Sequence, residues 1–317
     1  MKMKNGKWRI ENGKWKRENG VPYYSSLSVI HFLFLILILI INSLTAAGEE
    51  RLVFPLPASD VKHFHIQHSS ALSAEQIDVI SGELEALYTV WYSLFYADNT
   101  SSEEDKAASP LKHRIQIFRN KNEYVFFLRR YDSGIARTNG FYSPQTATAF
   151  FFAEKNEDFR RVLCHEVTHQ LCSEIFGGKK MPEGANFWII EGAALFMETF
   201  NVTKMQCSAG DITDNRLYAA KVYHFERHYR LPMEKLAALT ALDIQQSKDI
   251  VKIYDKSAAL FHLLMFADGG KYRPALCRLL RNVYSGKAEA DSLPRSTGLS
   301  YGKLDEMYET FLKTVPD

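Results

Sequence analysis

Arg160-Arg-Val-Leu-Cys-His-Glu-Val-Thr-His-Gln-Leu171 is the stretch on which the reading of this chain turns. Phe159, Val162, Leu163, Val167, Leu171 and Ile175 recur around it at helical spacing, which predicts a helix over Glu157–Phe176. The apolar stripe implies burial on one side, and Gly177-Gly178 supplies the stop. Residues i and i+4 of a helix share a face one turn apart, so His165 and His169 can reach one cation. Glu166 lies one step round, placed to contact a water on that cation rather than the cation itself. Taken alone, two histidines and a glutamate on a solvated helix face are the alternative.

A second segment agrees. Twenty-two residues beyond His169 comes Glu191, within Trp188-Ile-Ile-Glu-Gly-Ala-Ala-Leu-Phe-Met-Glu198. A second helix over Phe187–Phe200 would surround this carboxylate with apolar side chains, an expensive placement unless it is paired or binds metal. His165, His169 and Glu191 as ligands, with a fourth position open, is the donor set of a catalytic Zn2+ site. The alternative pattern with a third histidine would place glycine at position 172 and histidine at 175; the chain has Cys172 and Ile175.

With these motifs the chain resembles the gluzincin metallopeptidases, through His165-Glu166-x-x-His169 and Glu191-Gly192-Ala193-Ala194. It is similar in particular to exported bacterial zinc-peptidase-like families, which show the stretches matched here by His165–Leu171, Trp188–Ala194 and Glu198. The likeness covers roughly residues 61–315, including the late helix Tyr254-Asp-Lys-Ser-Ala-Ala-Leu-Phe-His262. The resemblance implies zinc, a zincin-like fold and hydrolysis of peptide or protein substrates. It implies no particular peptide sequence.

The chemistry expected of such a site assigns Glu166 as general base towards water and then as acid towards the leaving amine. The oxyanion needs one donor besides zinc. Tyr254, 63 residues after Glu191, matches the rough placement of a tyrosine in related aminopeptidases; the alternative is a core or surface tyrosine. Glu198 reads as a solvated helix end, with holding a ligand or a substrate amine as its alternative. Two rival readings stand beside a peptidase: a non-catalytic surface binding module on a zincin scaffold, and a zinc amidohydrolase of non-peptide substrates.

Outward from the two helices the pattern is α+β: a zincin-like core of small mixed sheet and active-site helices, then a helical C-terminal lobe. Val61–Gln67, Arg114–Phe118 and Thr146–Ala153 read as strands, with a turn-rich strand end at Asn139–Pro144. Ser73-Ala-Glu-Gln76 is a capping box opening a helix, Lys121–Tyr131 a short helix, and residues 98–110 a polar loop. Lys248–Ala267, Arg273–Tyr284 and Tyr301–Thr314 have helical periodicity. Thr146–Ala153 precedes the metal helix and is expected to border the cleft, offering backbone groups to an extended peptide. The division expected is 1–47 a leader, 48–200 the strand-helix lobe with both motifs, and 201–317 the helical lobe.

The 317 residues are 46% hydrophobic and 24% charged, as in folded proteins. The formal charge of +2 is uneven: residues 1–47 hold seven Lys/Arg and two Glu, which leaves 32 basic against 35 acidic side chains in the rest. That near-neutral body excludes a nucleic-acid partner, which requires clustered positive charge. The leader has a basic segment with a near-repeat, Asn5-Gly-Lys-Trp8 and Asn12-Gly-Lys-Trp15, to which no fold role is assigned. An apolar run Leu27–Ile41 and small residues at Thr45–Gly48 follow, the form of a secretory signal. Leu27–Ala47 is also long enough to cross a bilayer at about 1.5 Å per residue, so cleavage and membrane anchoring are both open. Either way residues 48–317 are expected outside, periplasmic or extracellular.

Cys164 and Cys172 lie about 12 Å apart along one helix, beyond disulfide reach, so any bridge would use Cys207 or Cys277; small buried hydrophobes are the alternative. His63 and His65 share a strand face without a third ligand. His262 reads as a core histidine. His224 and His228 repeat the i, i+4 spacing but lack a partner carboxylate. Asn99-Thr-Ser101 and Asn201-Val-Thr203 are glycosylation sequons.

Overall fold

A computed structural model of the protein describes residues 8–11, 14–17, 56–96, 112–130, 134–153, 159–177, 180–202 and 207–317. Two short strands, β1 (Trp8–Glu11) and β2 (Lys14–Arg17), form an antiparallel ladder; Asn5–Lys7 and Asn12–Gly13 of the near-repeat lie outside the described residues. The apolar run Leu27–Ile41, the small-residue site after it and the polar loop 98–110 lie outside the described residues. Among the described residues no helix is long and apolar enough to cross a membrane.

The chain then builds a five-stranded mixed sheet. It comprises β3 (Ala58–Asp60), β4 (Phe64–His68), α1 (Ala74–Phe95), β5 (His113–Phe118), α2 (Lys121–Leu128), β6 (Gly140–Ser143) and β7 (Thr148–Phe152), in strand order β3-β4-β5-β7-β6. β4, β5 and β7 run parallel, and antiparallel β3 and β6 close the two edges. The capping box of α1 is formed in both directions: Gln76 N donates to Ser73 Oγ and Ser73 N to Gln76 Oε1. From there Ile77, Ile80, Leu84, Leu87 and Trp91 turn one face of α1 to the core.

One expectation fails here. Thr146–Ala153 does not border the cleft with free backbone groups, because β7 pairs with β5 on one side and β6 on the other. Every residue of β7 is buried, and a strand covered on both faces reads as a continuous apolar run; Phe150-Phe-Phe152 is that run. The edge belongs to β6.

The remainder is helical. α3 (Phe159–Phe176) and α4 (Trp188–Met197) follow, then the short pair β8 (Asn201–Val202) and β9 (Cys207–Ser208). After them come α5 (Asn215–Phe225), α6 (Met233–Ala238), α7 (Ala241–Gln245), α8 (Ile250–Gly270), α9 (Arg273–Tyr284), α10 (Ser292–Thr297) and α11 (Tyr301–Thr314). α3 packs on β6 and β7 with one flank and against α4 and α9 with others. Every residue from Val162 to Ser173 is therefore buried, not the one-sided burial that the apolar stripe suggested. A single hydrophobic cluster runs from Phe64 to Val315 and includes residues of the sheet, α3, α4 and the later helices.

Two glycines set the close approaches that this packing needs. A Cβ on Gly140 would stand 2.7 Å from Val162 Cγ1, so β6 lies directly on α3. A Cβ on Gly192 would stand 3.0 Å from the Ser257 carbonyl oxygen and 3.1 Å from Phe261 Cβ, so α4 crosses α8 at backbone contact. Gly192→Ala must force these helices apart, and overpacking of this kind costs about 1–3 kcal/mol. Urea denaturation should show that loss; an unchanged midpoint would mean the crossing yields freely.

All four cysteines are free. Cys164, Cys172 and Cys277 are buried and Cys207 is exposed. Burial pushes the Cys164 thiol up to about 12, so it behaves as a small hydrophobe.

Candidate metal centre

α3 and α4 bring three donors to one point. His165 Nε2 and His169 Nε2 are 3.0 Å apart, and Glu191 Oε2 lies 3.5 Å from the first and 4.0 Å from the second. A tetrahedral zinc with bonds of about 2.0–2.2 Å needs donor–donor edges of about 3.3 Å, which the three spacings surround. Relative exposures are 1%, 0% and 0%, so little water competes for these atoms. Among the described residues this is the one group of three or more His, Cys, Asp or Glu side chains close enough to share an ion.

Second partners aim the imidazoles. Glu198 Oε1 lies 2.8 Å from His165 Nδ1, and a carboxylate can only accept, so Nδ1 carries the proton and Nε2 faces His169 and Glu191. Tyr284 Oη lies 3.3 Å from His169 Nδ1. Two imidazole nitrogens facing each other at 3.0 Å leave room for a proton or a cation between them. Without metal a proton takes that place, and a proton on each His165 nitrogen makes that ring a cation. Burial opposes that charge on His165, but the Glu191 and Glu198 contacts raise its pKa to about 10. The donor chemistry thus fits a dication that displaces the proton.

Glu198 is not the solvated helix end that the sequence suggested. It is 4% exposed and sits in a buried charge network. Arg161 Nη2 donates to Glu198 Oε2 at 2.9 Å and also reaches Asp214, while Arg216 lies against Glu198 and Asp255. Burial alone would raise the Glu198 pKa, but Arg216, His165 and Arg161 hold it well below the usual carboxylate range. Its oxygens are committed to His165 and the two arginines, which leaves it no role as an anchor for a substrate amine. The spacing contained the signal: Glu198 is two turns from Glu191 on one helix face, and Arg161, His165 and His169 form one i, i+4 row.

Glu166 stands beside the three donors and is 4% exposed. The backbone N–H of Tyr142, on edge strand β6, donates to Glu166 Oε2 at 3.1 Å. Burial, countered by His165 and reinforced by Glu191, raises the Glu166 carboxyl to about 7.

Tyr254 is 2% exposed, in α8. It lies one turn before Ser257, whose carbonyl abuts Gly192 next to Glu191. Burial and the nearby carboxylates of Glu191 and Glu166 keep its hydroxyl protonated, as a hydrogen-bond donor must be. Sequence reasoning thus named five residues now found in one region and missed Tyr284.

Four other histidines singled out by the sequence take ordinary roles. His63 pairs with Glu85 and stacks on Tyr88 at 3.8 Å between centroids, and His65 pairs with Asp60. His262 is a core histidine whose Nε2 contacts the Gly210 carbonyl at 3.1 Å. His224 is 3.9 Å from Glu309, and burial lowers its pKa to about 4.

No protein-family model matches the chain, and no curated protein matches it in sequence.

Proposed function

We propose that the protein is an exported zinc-dependent peptidase of gluzincin type, built on a zincin-like core, with His165, His169 and Glu191 as metal ligands. The observation that carries this reading is the convergence of three buried donors with a fourth buried side chain, Glu166, held beside them by a strand N–H. A module that only bound metal or a partner would gain nothing from burying that extra carboxyl.

Bound there, zinc supplies Lewis acidity, polarising a carbonyl and lowering the pKa of a water ligand to about 7. Glu166 takes a proton from the attacking water and returns it to the leaving amine, the two transfers of a positioned acid–base carboxylate. The Tyr142 N–H fixes one oxygen of Glu166 and leaves the other to the water. The protonated Tyr254 hydroxyl donates to the developing oxyanion. Export rests on the basic and apolar leader.

The test is a peptide-library digest with the full chain, repeated after chelation and after zinc is restored. Cleavage that disappears with the chelator and returns with zinc is expected. A zinc-loaded protein that cuts no peptide but hydrolyses small amides would move the reading to an amidohydrolase, and one that cuts neither would favour a binding module.

A further inference from the structure

We propose that Tyr284 is a positioning residue of the metal centre, fixing the second histidine from the C-terminal helices as Glu198 fixes the first from α4. The inference rests on the metal reading above and assigns a residue to which the motifs give no role.

Tyr284 is the last residue of α9, 4% exposed, with its hydroxyl 3.3 Å from His169 Nδ1. Nδ1 and Nε2 leave the imidazole ring on different sides. The hydroxyl therefore stands behind the metal-facing nitrogen and cannot touch a substrate there. Its effect must pass through His169: with Nε2 on the metal, Nδ1 carries the proton, and the hydroxyl accepts it and holds the ring with Nε2 facing His165 and Glu191. The ring is wedged against Phe176, centroids 6.3 Å apart, which holds the hydroxyl on target from the end of the same helix that carries His169.

The two supports are unequal. His165 leans on an anion at 2.8 Å and His169 on a neutral oxygen at 3.3 Å.

The experiment measures zinc affinity of the full chain by chelator competition for wild type, Tyr284→Phe and Val283→Ala, together with imidazole nitrogen-15 resonances of the metal-free proteins. Tyr284→Phe removes only the hydroxyl and should weaken zinc binding about 10- to 100-fold. It should also mix the His169 tautomers, which a purely structural role would leave alone. Val283→Ala disturbs the same helix end without touching the hydroxyl and should keep wild-type affinity. Unchanged affinity in Tyr284→Phe, or an equal loss in Val283→Ala, overturns the proposal. Weaker zinc binding in Tyr284→Phe, alongside a wild type that cuts no peptide, would sustain the positioning role while the peptidase reading fell. A wild type that binds no zinc ends both.

Discussion

Glu166→Gln should retain zinc and lose peptide hydrolysis by about 10²–10⁴-fold, the range that a positioned acid–base group supplies. The substitution is nearly isosteric, and the amide oxygen can still accept from the Tyr142 N–H, so the side chain keeps its place. It cannot take a proton from water. The loss should fall on kcat, since the metal ligands are unaltered. Steady-state kinetics with metal analysis of the same sample checks this. Substantial residual turnover at full zinc occupancy would remove Glu166 from the base role.

Glu191→Ala should show the opposite pattern. Here the metal is lost, with zinc affinity falling by more than the 10- to 100-fold that follows from removing a supporting partner. Activity disappears only because the site is empty, so excess zinc should restore part of it. The metal-free protein should also lose stability, by about 3–5 kcal/mol, because Glu191 is 0% exposed and its carboxylate is the buried partner of His165. Chelator competition and thermal unfolding of the metal-free protein measure the two effects separately. Zinc retention equal to that of Glu166→Gln would refute the ligand assignment.

These two carboxylates were legible in the sequence for a local reason. His165, Glu166 and His169 share one helix, and their placement follows from i, i+4 geometry. Glu191 showed itself as an acidic residue inside an apolar helix. The capping box at Ser73 and the helices Arg273–Tyr284 and Tyr301–Thr314 were readable in the same way, from short-range pattern.

What escaped depends on long-range contact. Tyr284 meets His169 across 115 residues of chain, and nothing in its neighbourhood sets it apart from other tyrosines. Glu198 looked solvated because its two arginines arrive from different helices. The place of β7 inside the sheet depends on β6 folding back over it, an order that local alternation does not encode. Burial of α3 on all sides was hidden because its own His and Glu imitate a wet face.

The most direct test of the central claim is X-ray absorption at the zinc edge on the full-length protein loaded with one equivalent of zinc. Two imidazoles and a carboxylate predict a first shell of nitrogen and oxygen alone at about 2.0–2.2 Å, with the outer-shell scattering of two histidine rings. Unaltered spectra for His165→Ala or His169→Ala, or a sulfur shell at about 2.3 Å, would show that zinc binds elsewhere and contradict the account.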